Sequence, residues 1–264
     1  MNNELKNKKT EIALFVTCLV DLFRPSVAFA TIKLLKEYGY TVVVPKAQSC
    51  CGQPAYNSGD YEGAKKVASA VINEFDKYKN VIVPSGSCAG MMAKHYVDLF
   101  KDDPEFSKKS LIFSKKVQEL ISFLFKIPDR KKLHSNFKGT ITYHDSCSSL
   151  REAGVKHQAR ELLQEIKGLK IKELKHTEVC CGFGGTFCVK YPQISERMVS
   201  EKVADAEASG AEILLSGDLG CLMNIAGRAS REGKKIECRH VIEVMADMTS
   251  VSPIGKKWRE KNDS

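Results

Sequence analysis

Eight cysteines fall into two sets of four in the same order: Cys18, the pair Cys50-Cys51 and Cys88, then Cys147, the pair Cys180-Cys181 and Cys221. Thiolate is a soft ligand, and four convergent thiols match a metal ion or an iron–sulfur cluster. Four thiolates also satisfy tetrahedral zinc, so both chemistries stand at this point. Disulfides are the weaker reading: ten cysteines in 264 residues are too sparse for a disulfide-knotted scaffold, and a chain of this size does not need one. No CxxC occurs, which removes the zinc-ribbon spacing, the thioredoxin motif and the bacterial ferredoxin run. Any site must therefore be assembled from distant segments. Adjacent cysteines in an extended strand point to opposite faces, so both reach one cofactor only where the chain turns. Gly52 and Gly182 follow the two pairs, permit that turn and let backbone N–H groups approach the sulfurs.

Other residues near these sets carry weaker signals. Cys188 is a spare ligand or resolving thiol on one reading and a lone packed cysteine on another; Cys238 has no counterpart in the first set and reads as structural. His144 and Asp145, just before Cys147, read as satisfied structural polar groups in preference to acid/base groups beside the ligands. Gly182, Gly184 and Gly185 do not fit the dinucleotide or P-loop patterns and read as tight turns.

The elements that must position the thiols are themselves repeated. Ile12-Ala-Leu-Phe-Val-Thr-Cys18 matches Ile141-Thr-Tyr-His-Asp-Ser-Cys147, Cys50-Cys51-Gly52 matches Cys180-Cys181-Gly182, and the stretch 81–88 matches 213–221, at offsets of 129, 130 and 133. Two homologous halves, 1–98 and 140–264, are expected around a connector, 99–139, made of a helical stretch (104–125) and a polar linker (128–138). Short β-branched runs at 12–17, 41–44 and 81–83, and at 140–144, 170–174 and 212–215, read as strands. Apolar stripes at Ala64, Val67, Ala68, Val71, Ile72 and Phe75, and at Ala159, Leu162, Leu163 and Ile166, read as helices. This alternation predicts an α/β fold: two Rossmann-like halves with parallel sheets, related by pseudo-twofold symmetry. Every cysteine of the two sets then follows a strand, and the C-terminal edge of a parallel sheet is where ligand sites form.

Composition excludes other classes. Hydrophobic residues make 43% and charged residues 28%, which rules out disorder. No apolar run approaches the roughly 18 residues of a spanning helix. Lys6, Lys8 and Lys9 before an apolar stretch, with Ala28-Phe29-Ala30 beyond it, imitate a secretory signal, but Asp21, Arg24 and Pro25 interrupt it and the segment recurs inside the chain. A cytoplasmic protein with reduced thiols is expected. The net charge of +9 is spread along the chain without interleaved aromatics and reads as solvated surface, not as a nucleic-acid interface.

The two cysteine sets resemble the CCG cysteine-rich domain duplicated in the heterodisulfide reductase B subunit and in the iron–sulfur subunits of anaerobic glycerol-3-phosphate dehydrogenase and glycolate oxidase. The strings Cys50-Cys-Gly-Gln-Pro-Ala-Tyr-Asn-Ser-Gly59, Pro84-Ser-Gly-Ser-Cys-Ala-Gly90, Tyr143-His-Asp-Ser-Cys147, Cys180-Cys-Gly-Phe-Gly-Gly-Thr-Phe187 and Gly217-Asp-Leu-Gly-Cys-Leu-Met-Asn-Ile-Ala-Gly-Arg228 resemble, more closely still, the bacterial lactate utilisation protein A family. That resemblance implies an iron–sulfur electron-transfer subunit that oxidises L-lactate to pyruvate together with lactate utilisation proteins B and C, the former a ferredoxin-type carrier. No transmembrane segment is expected, and any membrane association is expected to be peripheral, through such a complex. A thiol/disulfide redox subunit of the heterodisulfide reductase kind is the alternative function, and a zinc-stapled structural subunit a second. Ser85 and Asp218 stand where the heterodisulfide reductase motif has one further cysteine. Each half thus offers four thiols, which implies one cubane [4Fe-4S] cluster per half, with Ser85 and Asp218 beside the cluster or as oxygen ligands. No flavin signature or carboxylate-binding arginine motif accompanies the cysteines, so the chain carries no assigned catalytic residue.

Overall fold

The computed structural model describes residues 10–256; Lys6, Lys8, Lys9 and the basic run 257–261 lie outside them. The chain divides after Lys131 into two compact units. Strands of the first unit are β1 (Glu11–Leu14), β2 (Thr41–Val43), β3 (Val81–Val83) and β4 (Val117–Glu119); those of the second are β5 (Gly139–Tyr143), β6 (Leu169–Ile171), β7 (Ile213–Ser216) and β8 (Glu237–His240). All neighbouring strands run parallel, in the order β2-β1-β3-β4 in the first sheet and β6-β5-β7-β8 in the second. The two units thus repeat one topology, a duplicated α/β architecture. β3 and β7 are buried at every position, as expected of inner parallel strands covered on both faces.

The repeat extends to the helices. Tyr61–Phe75 buries Ala64, Ala68, Val71, Ile72 and Phe75; Pro192–Ala208 buries Ser195, Val199, Lys202, Val203 and Ala206 at the same spacing. The carbonyls of Ala64 and Ser195 face Gly52 and Gly182 respectively, which fixes the correspondence and sets Lys202 opposite Val71.

The stretch 104–125 departs from its helical expectation. It contains helix Phe106–Ser114, then β4, then helix Leu120–Phe125, and it belongs to the first unit. Val117-Gln-Glu lacks a β-branched run, and Phe113, Val117, Leu120 and Leu124 continue a helical spacing; pairing of Val81, Ile82 and Val83 with Val117, Gln118 and Glu119 overrides it. β8, with the polar sequence Glu-Cys-Arg-His, was unexpected for the same reason and is likewise an edge strand. Both edge strands end in a residue that caps the next helix: Glu119 Oε2 accepts from Ser122 N–H at 2.8 Å, and His240 Nδ1 from Ile242 N–H at 3.3 Å. The expected strand 12–17 stops at Leu14 because residues 15–17 lead into a helix at Cys18. Among the described residues no helix is long and apolar enough to cross a membrane.

Candidate metal centres

Each cysteine of the two sets lies on a segment that follows a strand. Cys18 and Cys147 open short helices after β1 and β5, where Thr17 and Ser146 cap by accepting from Val20 and Ser149 N–H. Cys88 and Cys221 lie in the first turn of helices that follow β3 and β7. The Cys-Cys pairs follow β2 and β6 and end at glycines with φ of +82° (Gly52) and +79° (Gly182). Only a residue without a side chain adopts that turn at no cost. The turn directs Gly52 N–H at Cys50 Sγ (3.4 Å) and Gly182 N–H at Cys180 Sγ (3.3 Å).

In the first unit Cys18 Sγ lies 3.7 Å from Cys50 Sγ and Cys51 Sγ 3.3 Å from Cys88 Sγ, with the Cys50 and Cys51 thiols in contact. The second unit repeats the chain of contacts from Cys147 to Cys180, Cys181 and Cys221. All ten cysteines are free thiols.

Such quartets are electrostatically frustrated when they hold only protons. The hydrogen bonds of Cys50 and Cys88, then burial, hold the Cys51 thiol well above its ordinary range. Cys18 is raised by its bond to Cys50 and by burial, while Cys50 is drawn down by the bonds from Cys18 and Cys51. In the second unit Cys147 is raised by Cys180 and by burial. The bond from Cys181 favours the Cys221 thiolate, but burial and the Asp218 carboxylate outweigh it and push that thiol to about 11. Four thiolates within contact of one another repel, and a bound cation is what lets them ionise together. Donor type and convergence both fit a thiolate-bound metal centre.

The surroundings differ. Tyr96 Oη donates to Cys51 O at 2.8 Å from behind a π-helical turn, Met91–His95, a local distortion often found at functional sites. Asn224 Nδ2 does the same for Cys181 O at 2.9 Å. Cys18 and Cys50 line an open cleft of about 420 Å³ with Val16, Asp21, Val44 and Gln48. Ser85 bonds Ser87 Oγ at 3.1 Å, whereas Asp218 caps its helix by accepting from Gly220 N–H at 3.1 Å and acts electrostatically on Cys147 and Cys221. Cys188 faces the Gly185 carbonyl at 3.8 Å, outside the chain of thiol contacts, and Cys238 is buried in β8, where burial pushes it to about 12.

His144 and Asp145 part company. Asp145 is satisfied: Arg160 grips both its oxygens at 2.6 and 3.0 Å, also holds Glu173 and lies over the Tyr143 ring. His144 is fully buried with neither ring nitrogen partnered, and its ligand atom lies within 4.8 Å of those of Cys181 and Cys221. Burial, then the charge of Lys202, pushes it down to about 3. Lys202 is also buried and donates to His176 O. Its signal in the sequence was the repeat itself, which puts a lysine where the first unit has Val71.

Two α/β units with parallel sheets, each gathering four thiols on loops and helix starts, define a duplicated cysteine-rich domain, and the model of the CCG cysteine-rich domain matches residues 12–93 and 141–226, one copy per unit. The chain is 45% identical over 235 residues to lactate utilization protein A of Halalkalibacterium halodurans, covering 89% of this chain and 96% of that protein. It is 42% identical over 236 residues to lactate utilization protein A 2 of Bacillus cereus, covering 89% and 98%. The chain belongs to the lactate utilization protein A family. A solved structure of a hypothetical protein from Helicobacter pylori shares the fold at a TM-score of 0.67 and 11% identity; the match covers 93% of this chain and half of that one.

Proposed function

We propose that the chain is an electron-transfer subunit of an oxidoreductase that converts L-lactate to pyruvate, with one [4Fe-4S] cluster held by Cys18, Cys50, Cys51 and Cys88 and another by Cys147, Cys180, Cys181 and Cys221. The observation that carries this reading is the pair of four-thiol chains, together with membership of a family whose relatives are lactate utilization proteins. In each sheet the strand order reverses at the inner pair, β1 and β3 or β5 and β7, and Cys18 and Cys88, or Cys147 and Cys221, follow those strands. The crevice beyond the carboxyl ends of such a pair is the preferred ligand site of open parallel sheets.

A bound cluster would supply one-electron transfer at each site. Lactate oxidation releases two electrons and two protons, a count that two such sites match. This chain's own residues hold the thiols: Thr17 and Ser146 start the helices, Gly52 and Gly182 turn the pairs, and Tyr96 and Asn224 fix the Cys51 and Cys181 carbonyls. Lactate utilisation proteins B and C are the partners this reading requires, in a cytoplasmic complex, and lactate itself binds on another chain.

The test is reduction. The anaerobically purified chain, mixed with proteins B and C, is expected to lose visible absorption on addition of L-lactate and to develop a reduced-cluster EPR signal. A chain that holds iron yet stays oxidised in the complete mixture contradicts the reading. A second reading, thiol/disulfide exchange as in the heterodisulfide reductase B subunit, is favoured by the cleft beside Cys18 and Cys50. It predicts that a disulfide substrate re-oxidises the dithionite-reduced first site, taking up two electrons and two protons to give two thiols, and that lactate does not reduce that site.

A further inference from the structure

The second unit contains a buried polar row that the first lacks. Register pairs Thr142 with Leu214 and Tyr143 with Leu215, and His144 N–H continues the ladder by donating to Leu215 O at 2.8 Å. Partners in a parallel ladder share a face, and residues two apart in a strand do too, so Thr142, His144 and Ser216 lie on one face of the second sheet. All three are fully buried, and their side-chain polar atoms have no hydrogen-bond partner. The corresponding residues of the first unit are Ala13, Phe15 and Val83, packed in its apolar core. Buried polar atoms are costly to leave unmet, and such exceptions call for an occupant. Three in a row, ending at an imidazole beside two cysteine sulfurs, point to a metal.

We propose that His144 is a metal ligand of the second site, which therefore binds through thiolate and imidazole, whereas the first site binds through thiolate alone. A neutral imidazole is a ready ligand for iron and zinc. His144, Cys181 and Cys221 bring their ligand atoms within 4.8 Å of one another, close enough to share a metal ion. One ring nitrogen takes the metal. The other is left to donate to a neighbouring oxygen, as ligating histidines nearly always do, and the hydroxyls of Thr142 and Ser216 are the unpaired acceptors on its face. A cubane cluster offers four terminal positions, so His144 takes one of them in place of one of the four thiolates assigned to that site, and iron ligated in that way carries less negative charge around it and is easier to reduce. The buried ammonium of Lys202, which acts on Cys180, Cys181 and His144, works in the same direction. The second site is thereby the higher-potential of the two, the one on which an electron rests.

This inference rests on metal binding by the quartets but not on the metal being iron. In full-length chain carrying Cys50→Ser and Cys51→Ser, which leaves the second site as reporter, pulsed EPR of the dithionite-reduced protein labelled with ¹⁵N-histidine is expected to show a directly coordinated nitrogen. His144→Phe, the residue the first unit uses, is expected to abolish that coupling and to lower affinity for added Co²⁺ at least about tenfold, with His144→Gln as the second variant should Phe not be accommodated. A cluster without nitrogen coupling, or a Co²⁺ spectrum and affinity unchanged by both variants, overturns the proposal. If the native chain holds zinc and no iron, the electron-transfer reading fails, while the Co²⁺ titration still decides the role of His144.

Discussion

The two units share topology, caps, glycine turns and four-thiol chains, and differ in what stands behind the thiols. Behind the first quartet are Ala13, Phe15, Val71 and Val83; behind the second are Thr142, His144, Lys202 and Ser216. Elsewhere the same replacement of apolar by polar groups comes with a partner: Val16 has Asp145 as its counterpart, and Arg160 meets that carboxylate in full. Duplication preserved the parts that shape the thiol set and let the interior beneath it diverge. The thiol set is what the two units have in common, and the layer under it is where they differ.

Removing one thiol gives the largest effect and tests whether the units act independently. Cys51→Ser is expected to lower the metal content of the first unit more than tenfold and leave the second filled, and Cys181→Ser to do the reverse. Metal analysis combined with EPR checks this; loss from both sites after either change would break the comparison.

Next in size is the pairing at Asp145. Arg160→Ala strands a buried carboxylate and is expected to destabilise the chain by about 3–5 kcal/mol in urea titration. At the matching position of the first unit the contact is made by the backbone instead, Val16 N–H donating to Gln48 Oε1 at 2.7 Å, a neutral bond. Gln48→Ala is expected to cost about 1 kcal/mol. Equal losses would show that Asp145 is less buried in solution than its full enclosure here.

A pH scan sharpens the contrast between His144 and Phe15. An imidazole pushed down to about 3 in the folded chain takes up its proton only on unfolding, so its stabilising contribution is present above pH 6.5 and is lost as pH falls from there toward 3. For the metal-free chain the expected slope is about 1.4 kcal/mol per pH unit in that window. His144→Phe should remove that component. An unchanged slope would assign the acid sensitivity to other groups.

The smallest expected difference is between the two turn glycines. An alanine Cβ at Gly52 meets its nearest atom at 3.5 Å, whereas at Gly182 it would lie 2.9 Å from Ser195 O. Gly52→Ala is expected to cost about 1–2 kcal/mol through its left-handed backbone, and Gly182→Ala measurably more.

Much of this was legible in the sequence because repetition supplied the register. The inner strands, the cysteine order and the role of Gly52 and Gly182 followed from the matched strings at 12–18 and 141–147 and at 50–52 and 180–182. Of the four edge strands, β4 and β8 were not legible. Val117–Glu119 and Glu237–His240 are held by pairing with a neighbour, not by their own β propensity. At the site, Asp145 fits its expectation as a satisfied structural group, whereas His144 does not. No composition rule shows that an imidazole lacks a partner; only the packing does. Lys202 sits at an apolar position of a helical stripe, and Tyr96 reaches Cys51 O from a π-helical turn that periodicity does not reveal.

The central claim is that the thiol set of each unit holds an iron–sulfur cluster. Its most direct test is iron, sulfide and zinc content of the anaerobically purified native chain, with an EPR spectrum of the same sample after dithionite. About four irons and four sulfides per unit, with a signal that appears on reduction, is the predicted result. One zinc per unit, no sulfide and no signal would contradict it and make the quartets structural.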